Sequence, residues 1–452
     1  MAEYGLDVQG GGTTTSLRQY AAAVSEGFPR VTRVRPVESS IASRNKLDIL
    51  PVNLDGSNNE INDSYIEFRI PGVPGQFLDL STLSIDMKTR VTKVDGSKLG
   101  DTDHVVFANG FSNTLFKNCT CYLNEQMVES NALFNYHAFV KMITSIPQEK
   151  LDSIGRSSFF FRDDQSEKGI VNTYSDEYFT GANKQEKEMI ANIKAHGLSM
   201  TAPLLLDIAS LDAYLLDGTD VRIRLELASK SWILNTSQDG DLFKFALESV
   251  KLWVDRVVPH ASALSSLNTS LASKSLQYTY NRTLYKTYVL GINQTSLLAE
   301  LPFAQIIPQN LIMVMVDMDN MSGSYNKNGL YFTHADLNHA HITINGSTAY
   351  NIHAQFPHHV SRLFYSTLEG LGLETTNNLT LPAFAAGRTL CAFNFVTEDV
   401  ENGIPLDKNG NMRISLTFNK GHNRNLVIIF FADTTGIIEI DAHRQVTCQV
   451  RA

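Results

Sequence analysis

The side chains best placed to do chemistry are six histidines in the last third of the chain. They are His334, His339, His341, His353, His358 and His359. His339 and His341 lie two positions apart in a segment that alternates like a strand, so both rings would face the same side, as two zinc ligands could. Neutral histidines also pack and cap readily, and no cysteine or carboxylate recurs at ligand spacing. We therefore predict no metal site and keep His339 and His341 as the candidates to check.

The cysteines and the acidic turns offer little more chemistry. Cys119 and Cys121 lie two apart in a predicted strand, which favours core packing, since a redox pair or zinc half-site would normally use Cys-X-X-Cys. Residues 317–320 and 407–411 are similar to parts of calcium loops but lack the closing glutamate, so we interpret them as turns. No nucleophile elbow or zinc-protease motif is present, and the sequence offers no carboxylate pair to nominate as general acid and base. The sequence predicts no catalytic residue, no cofactor and no enzyme activity.

The N-terminal segment has a local excess of positive charge. Between residues 27 and 46 a single acid, Glu38, accompanies five basic residues, which are Arg30, Arg33, Arg35, Arg44 and Lys46. A glycine-rich stretch at 10–16 precedes them and indicates flexibility. Residues 1–46 are therefore predicted to form a flexible arm. The arm is either a solvated linker or a segment that lies across a neighbouring subunit or contacts nucleic acid, and both interpretations stay open.

Length, charge and composition indicate how many domains the chain forms and argue against several classes of protein. A chain of 452 residues can form two or three domains, and its formal net charge of -9 argues against a surface that coats nucleic acid. The polar, acidic N-terminus and the lack of long apolar runs predict neither a signal peptide nor a membrane span. The four cysteines are few for this length, which favours a reducing compartment without a disulfide framework.

One strand pattern occurs twice along the chain. Residues 412–418 alternate apolar and polar side chains, and the apolar run 426–432 predicts a strand covered on both faces, followed by a separate third strand at 436–441. Residues 219–227 and 243–254 repeat the first two of these strands. Arg222 and Arg413 lie near the start of the first strand of each copy. We infer two β domains built on one plan.

Other elements repeat in the same order. Hairpins are predicted at 122–126 and 342–347, and each is followed by residues with helical spacing, at 131–146 and 360–370. Between the two copies, Ser, Ala and Leu replace the strand pattern, which predicts a linker at 260–274 between a first domain at 47–259 and a second domain at 275–452. The first domain carries a polar insertion at about 152–196, with a helical piece at 183–195. We expect this insertion to be exposed or interfacial.

Four further segments follow one another along the chain, at 77–83, 216–225, 316–325 and 410–444. In sequence and order they resemble the double jelly-roll major capsid (hexon-like) proteins of Polinton/Maverick elements and of adintoviruses. The resemblance extends from about residue 50 to 450. It implies an all-β fold of two tandem eight-stranded jelly rolls with short helices and long loop insertions, which agrees with the alternating strands and turn residues.

The resemblance also implies a function. A major capsid protein of this kind forms homotrimeric, pseudo-hexagonal capsomers that build an icosahedral shell around double-stranded DNA, so the protein would be found in the virion. Its partners would be neighbouring capsomers and penton or minor capsid proteins, with a weak contact between the arm and packaged DNA. Two alternatives remain: a minor or vertex capsid protein, which usually has one jelly roll, and a non-viral β-sandwich binding module or enzyme, which needs a cleft with paired carboxylates or aromatic residues.

Overall fold

A computed structural model describes residues 41–53, 64–161, 170–181, 193, 197–300, 302–303, 305–372, 379–396 and 408–449. Most of the regular structure in these residues is β-strand. The strands form where apolar and polar side chains alternate, because alternation gives a strand one face for the core and one for solvent.

The first half of the chain forms two antiparallel four-stranded sheets. Its strands are β1 (Ile41–Ile49), β2 (Tyr65–Ile70), β3 (Phe77–Lys93), β4 (Val105–Phe107), β5 (Phe116–Leu123), β6 (Gln126–Asn131), β7 (Leu198–Pro203), β8 (Val221–Leu227), β9 (Leu234–Thr236) and β10 (Phe243–Pro259). One sheet has the order β1-β10-β3-β7 and the other β2-β8-β5-β6, while β4 pairs with β9.

The second half repeats this arrangement. Its strands are β11 (Leu276–Leu290), β12 (Ser296–Glu300), β13 (Ile306–Ile307), β14 (Asn310–Asp317), β15 (Leu337–Ile344), β16 (Ser347–His353), β17 (Leu390–Asn394), β18 (Lys408–Asn409), β19 (Met412–Phe418), β20 (Leu426–Ile440) and β21 (Val446–Gln449). The sheets have the orders β11-β20-β14-β17, with β21 on β20, and β12-β19-β15-β16, while β13 pairs with β18.

The two halves have the same topology. In each half the first strand pairs with the last long strand (β1 with β10, β11 with β20). The second strand pairs with the equivalent later strand (β2 with β8, β12 with β19), and together these pairings are typical of a jelly roll. Arg222 and Arg413 are the second residues of the equivalent strands β8 and β19. The prediction of an all-β chain with two tandem jelly rolls is confirmed.

Helices lie mainly in the connections. They are α1 (Phe111–Thr114), α2 (Phe134–Ser145), α3 (Asp176–Gly181), α4 (Lys230–Ile233), α5 (Ala261–Leu271), α6 (Met318–Ser322), α7 (Ser361–Leu371) and α8 (Leu381–Ala386). Helices α2 and α7 follow the predicted hairpins β5–β6 and β15–β16. Both hairpin turns have two residues at positive φ, Asn124 and Glu125 in one and Asn345 and Gly346 in the other. This geometry is typical of type I′ turns, which explains the asparagines.

The structure changes three details of the sequence predictions. The prediction of a separate third strand at 436–441 is wrong, because β20 continues to Ile440 and pairs with β11 over its whole length. Residues 41–46, assigned to the arm, lie in β1, and residues 261–271 of the linker form α5. Of the helical piece at 183–195, only Ile193 lies within the described residues.

Strand β20 is buried on both faces. Residues 426–432 are all buried, whereas β10, its counterpart in the first domain, alternates between buried and partly exposed positions. The even-numbered side chains of this segment, such as Phe430, pack in the core of the second domain, and Phe431 on the other face contacts the first domain. The prediction of a strand covered on both faces is confirmed, and its outer cover is the other domain.

The core role of β20 predicts a large cost for truncating it. Phe430 is fully buried and lies with its ring 5.8 Å from that of Tyr288. Replacing Phe430 with alanine should lower the free energy of unfolding by about 3–5 kcal/mol, because the site loses apolar contacts and keeps a cavity. The control Val289→Ala, at a position 52% exposed in the same sheet, should change it by less than about 0.5 kcal/mol. Urea unfolding measures the free energy of unfolding of both variants. An equal decrease in the two would contradict this description of the core.

Candidate functional site: the junction between the domains

Helix α2 lies between the two domains and is buried on nearly every side. Nine of its 12 residues are buried. The rings of Tyr136 and Phe139 lie 6.4 and 5.8 Å from that of Phe332 in the second domain, and His137 stacks on Phe431 at 5.5 Å. A helix that is buried all round requires cover from two sides, and here each domain supplies one. The junction therefore has an apolar centre.

Ionisable side chains from both domains meet beside this helix. They are Glu129 on β6, His137 and Lys141 on α2, Asp207 in the turn after β7, and Asp433 on β20. Asp207 is 2% exposed, and Lys141 Nζ lies 2.7 Å from its Oδ1. We call these five residues the junction cluster.

Asp207 makes polar contacts with residues of both domains. Its Oδ2 accepts a hydrogen bond of 2.7 Å from the backbone N–H of Thr283 on β11. The Thr283 hydroxyl lies 3.3 Å from Asp207 Oδ1 and 3.1 Å from Asp433 Oδ1. Glu129 fixes the turn from the other side, since its carboxylate accepts from the backbone N–H groups of Asp207 and Ile208 at 3.0 and 3.1 Å. The buried Asp207 carboxylate thus connects helix α2 of the first domain to strand β11 of the second.

Burial sets the ionisation of the cluster. It raises the pKa of Glu129 to about 7, helped by the charge of Asp207, and raises the pKa of Asp433 to about 6. Burial also lowers the pKa of His137 to about 3, so this ring is neutral at pH 7. Burial alone would raise the pKa of Asp207, but the Lys141 ammonium reverses the effect and holds it below its ordinary value. The Lys141–Asp207 ion pair is therefore flanked by the carboxyl groups of Glu129 and Asp433, whose ionisation is disfavoured by burial.

A second contact joins the domains through the turn after β20. Arg444 Nη2 lies 2.6 Å from Asp217 Oδ1, and its Nε donates to the Asp217 carbonyl oxygen at 2.8 Å. The Asn124 side chain, in the β5–β6 turn, donates to the Arg444 carbonyl oxygen at 2.7 Å. Two of the segments that carry the family resemblance, 216–225 and 410–444, therefore meet at the junction.

The described part of the insertion forms a third contact. The backbone N–H of Tyr174 donates to the Asn326 carbonyl at 2.9 Å, and that of Asn328 to the Asn172 carbonyl at 3.0 Å. The insertion therefore packs on the loop after β14 of the second domain. The apolar run at 159–161 is buried rather than exposed, and Phe159 packs edge-on against Phe107 with ring centroids 6.0 Å apart.

The histidine candidates lie on the surface of a sheet. His339 and His341 share one face of β15, as predicted, with ring centroids 5.8 Å apart, and His353 on β16 stacks on His339 at 4.2 Å. His339 Nε2 lies 2.6 Å from Asn351 Oδ1, and His341 Nε2 lies 3.2 Å from Thr348 Oγ1. Within the described residues, no three or more His, Cys, Asp or Glu side chains are grouped so that they could hold a metal ion.

The remaining candidates from the sequence are the paired cysteines and the basic residues of the predicted arm. Cys119 and Cys121 are buried, free thiols on β5. Arg44 is held in the first domain by ion pairs of 2.5 Å to Asp79 and 2.7 Å to Asp255. Lys46 is exposed on β1, whereas the other arm residues (Arg30, Arg33 and Arg35) lie outside the described residues. No helix of the described chain is long and apolar enough to cross a membrane.

The junction cluster predicts a strong effect at Lys141. Replacing it with methionine leaves Asp207 buried without its opposite charge, which should lower the free energy of unfolding by about 3–5 kcal/mol. The matched control is Lys251→Met, because Lys251 and Asp48 form a 3.3 Å pair whose side chains are 40% and 52% exposed; such pairs contribute about 0–1 kcal/mol. Urea unfolding at pH 7 compares the two. Equal losses would show that the buried pair does not stabilise the junction.

The raised pKa of Asp433 predicts a pH dependence of defined sign. Folding shifts this pKa from 3.8 to about 6, so stability is lost as the pH rises through that interval and stays lost above it. Asp433→Asn keeps an oxygen that can accept from the Thr283 hydroxyl and removes the charge. The variant should be more stable than the unmodified protein at pH 8, on the order of 2 kcal/mol, and equally stable at pH 4. Unfolding free energies at the two pH values test this, and a difference independent of pH would contradict it.

Comparison with known proteins identifies the fold. The sequence matches no protein-family model, and no curated protein matches it. A chain in the cryo-EM structure of the Sputnik virophage aligns with a TM-score of 0.60 at 12% identity, over 93% of this chain and 91% of that chain. The Faustovirus major capsid protein aligns at 0.55 and 9% identity, over 90% and 91%. The mavirus major capsid protein aligns at 0.51 and 10% identity, over 94% and 95%.

These alignments extend across both domains, because each covers at least 90% of both chains. At such low identity they report the fold. Taken with the strand order of the two halves, they show that this chain has the double jelly-roll fold of viral major capsid proteins.

Proposed function

We propose that the protein is a major capsid protein that trimerises into pseudo-hexagonal capsomers and builds an icosahedral shell around double-stranded DNA. The observation that carries this proposal is the presence of two complete jelly rolls, aligned nearly end to end with viral capsid proteins. The function is assembly, so the relevant sites are surfaces and junctions rather than a catalytic centre.

The junction supports this proposal physically. Each subunit has two similar jelly rolls in a fixed relative position. Three such subunits can therefore place six similar jelly rolls around one axis. The fixed relation comes from the apolar packing of α2 and from the Asp207 and Arg444 contacts. A loosely linked pair of domains would not define one capsomer shape.

The finer assignments form part of the same proposal. The four segments similar to Polinton/Maverick and adintovirus capsid proteins support that lineage, and two of them form the contact between Asp217 and Arg444. Neighbouring capsomers and penton or minor capsid proteins would be the partners, and the virion the location. Arg44 is engaged within the first domain, so any contact of the arm with DNA would fall mainly to the basic residues before it.

The test is the mass of the purified protein by light scattering, with negative-stain images of the same sample. The proposal predicts a stable particle of three 50.2 kDa chains with a pseudo-hexagonal outline, or closed shells. A monomer at high concentration would overturn it and favour a β-sandwich binding module.

A further inference from the structure

A partly enclosed cavity of about 360 Å³ lies beside the junction cluster, on the outer face of the β11-β20-β14-β17 sheet. Its floor has a polar row of residues that lie opposite one another on successive strands, namely Thr283, Asp433, Asn310 and Asn394. The next row, two residues along each strand, is mostly apolar and consists of Tyr285, Phe431, Ile312 and Ala392. Directly opposed residues in a sheet have Cβ atoms about 4.5–5.5 Å apart, so the Asp433 and Asn310 side chains lie side by side.

Two helices form the walls of the cavity. One stripe of α2 faces it with His137, Val140 and Lys141, and the C-terminal end of α7 forms the opposite wall. Helix α7 can pack this closely on β17 because Gly370 has no side chain, and a Cβ there would lie 2.6 Å from the Ala392 carbonyl oxygen. The carbonyl end of a helix is partly negative, which favours a cation beside its last turn.

The charges around the cavity do not balance. The junction cluster has three carboxyl groups but one cationic side chain, Lys141, which is paired with Asp207 at 2.7 Å. Asp433 is the carboxylate that lines the cavity, where its Oδ1 accepts a hydrogen bond of 3.1 Å from the Thr283 hydroxyl. Beside it, Asn310 Oδ1 is buried and has no hydrogen-bond partner within the described part of the chain. The polar row therefore offers acceptors to a donor that carries positive charge.

We propose that this cavity binds the primary ammonium end of an alkylamine, with the ammonium at Asp433 and Asn310 and the alkyl chain over Phe431 and Ile312. A primary ammonium has three N–H donors, and its acceptors would be the Asp433 carboxylate, Asn310 Oδ1 and the carbonyl end of α7. Two residues along a strand span about 6.6 Å, so a four-carbon chain can extend from the polar row over the apolar row. A metal ion fits less well, because one carboxylate and one amide supply few ligands and the apolar row supplies none. The inference goes beyond the proposed function and does not depend on assembly.

Isothermal titration calorimetry with n-butylammonium at pH 8 tests the site, with n-butanol as the neutral probe of similar length. We expect one n-butylammonium to bind per chain and n-butanol to bind at least tenfold more weakly. Asp433→Asn should weaken the binding of n-butylammonium at least tenfold, and unfolding would not explain this loss, because the variant is expected to be more stable at pH 8. The matched control is Glu300→Gln, which removes a carboxylate whose side chain is 55% exposed on another sheet of the same domain. It should bind n-butylammonium like the unmodified protein.

Competition with protons gives a second readout. The pKa of Asp433 is about 6, so this carboxyl group is mostly protonated at pH 5, and n-butylammonium should bind at least tenfold more weakly there than at pH 8. The pKa of Glu129 is about 7, so its protonation acts in the same direction. The other three members of the junction cluster keep their charge states between pH 5 and pH 8. The described residues of β14, β17 and α7 that line the cavity are uncharged.

Three results would show that this inference is wrong: no binding of n-butylammonium, equal binding by the unmodified protein and Asp433→Asn, or equally tight binding of n-butanol. A monomeric protein would overturn the proposed function without affecting this test. The same titration on assembled protein identifies the source of the ammonium group. A free amine such as a polyamine predicts that assembled particles still bind n-butylammonium, whereas a lysine side chain of a neighbouring chain predicts that assembly blocks the site.

Discussion

The position of one jelly roll against the other depends on a buried carboxylate with partners in both. Asp207 lies in the first domain, pairs with Lys141 and accepts the backbone N–H of Thr283 in the second. Lys141 belongs to the same domain as Asp207, so sliding one domain past the other would keep the ion pair but remove the hydrogen bonds that this buried carboxylate accepts from Thr283. The apolar packing of α2 contributes contact area, and the charged cluster specifies a single arrangement.

The two halves share one topology and differ in what covers them. Strand β20 is buried on both faces because α2 of the first domain lies on it, whereas β10, its counterpart, is covered on one face. This asymmetry explains why the apolar run 426–432 has no equally apolar equivalent in the first half.

The sequence predicts the local features well, because strands, hairpins and helices follow from side-chain spacing and turn chemistry. Asn124 and Asn345 indicate their hairpins for this reason. The junction could not be predicted, since Glu129, Lys141, Asp207 and Thr283 come together only after both domains fold and none belongs to a recognisable motif. Spacing alone likewise could not show that the long strand β20 continues past Gly436. The sequence predicts Arg44 to lie in the arm, because it does not show that Asp79 and Asp255 lie beside this residue.

The central claim is that the junction holds the two jelly rolls in one fixed relation, and that three such chains form the proposed pseudo-hexagonal capsomer. A cryo-EM structure of the purified assembly tests it most directly. The account predicts three chains around one axis, each with Asp207 bonded to Thr283 and Arg444 bonded to Asp217 across the junction of its two jelly rolls. A monomer, or chains whose two jelly rolls take several positions relative to each other, would contradict it.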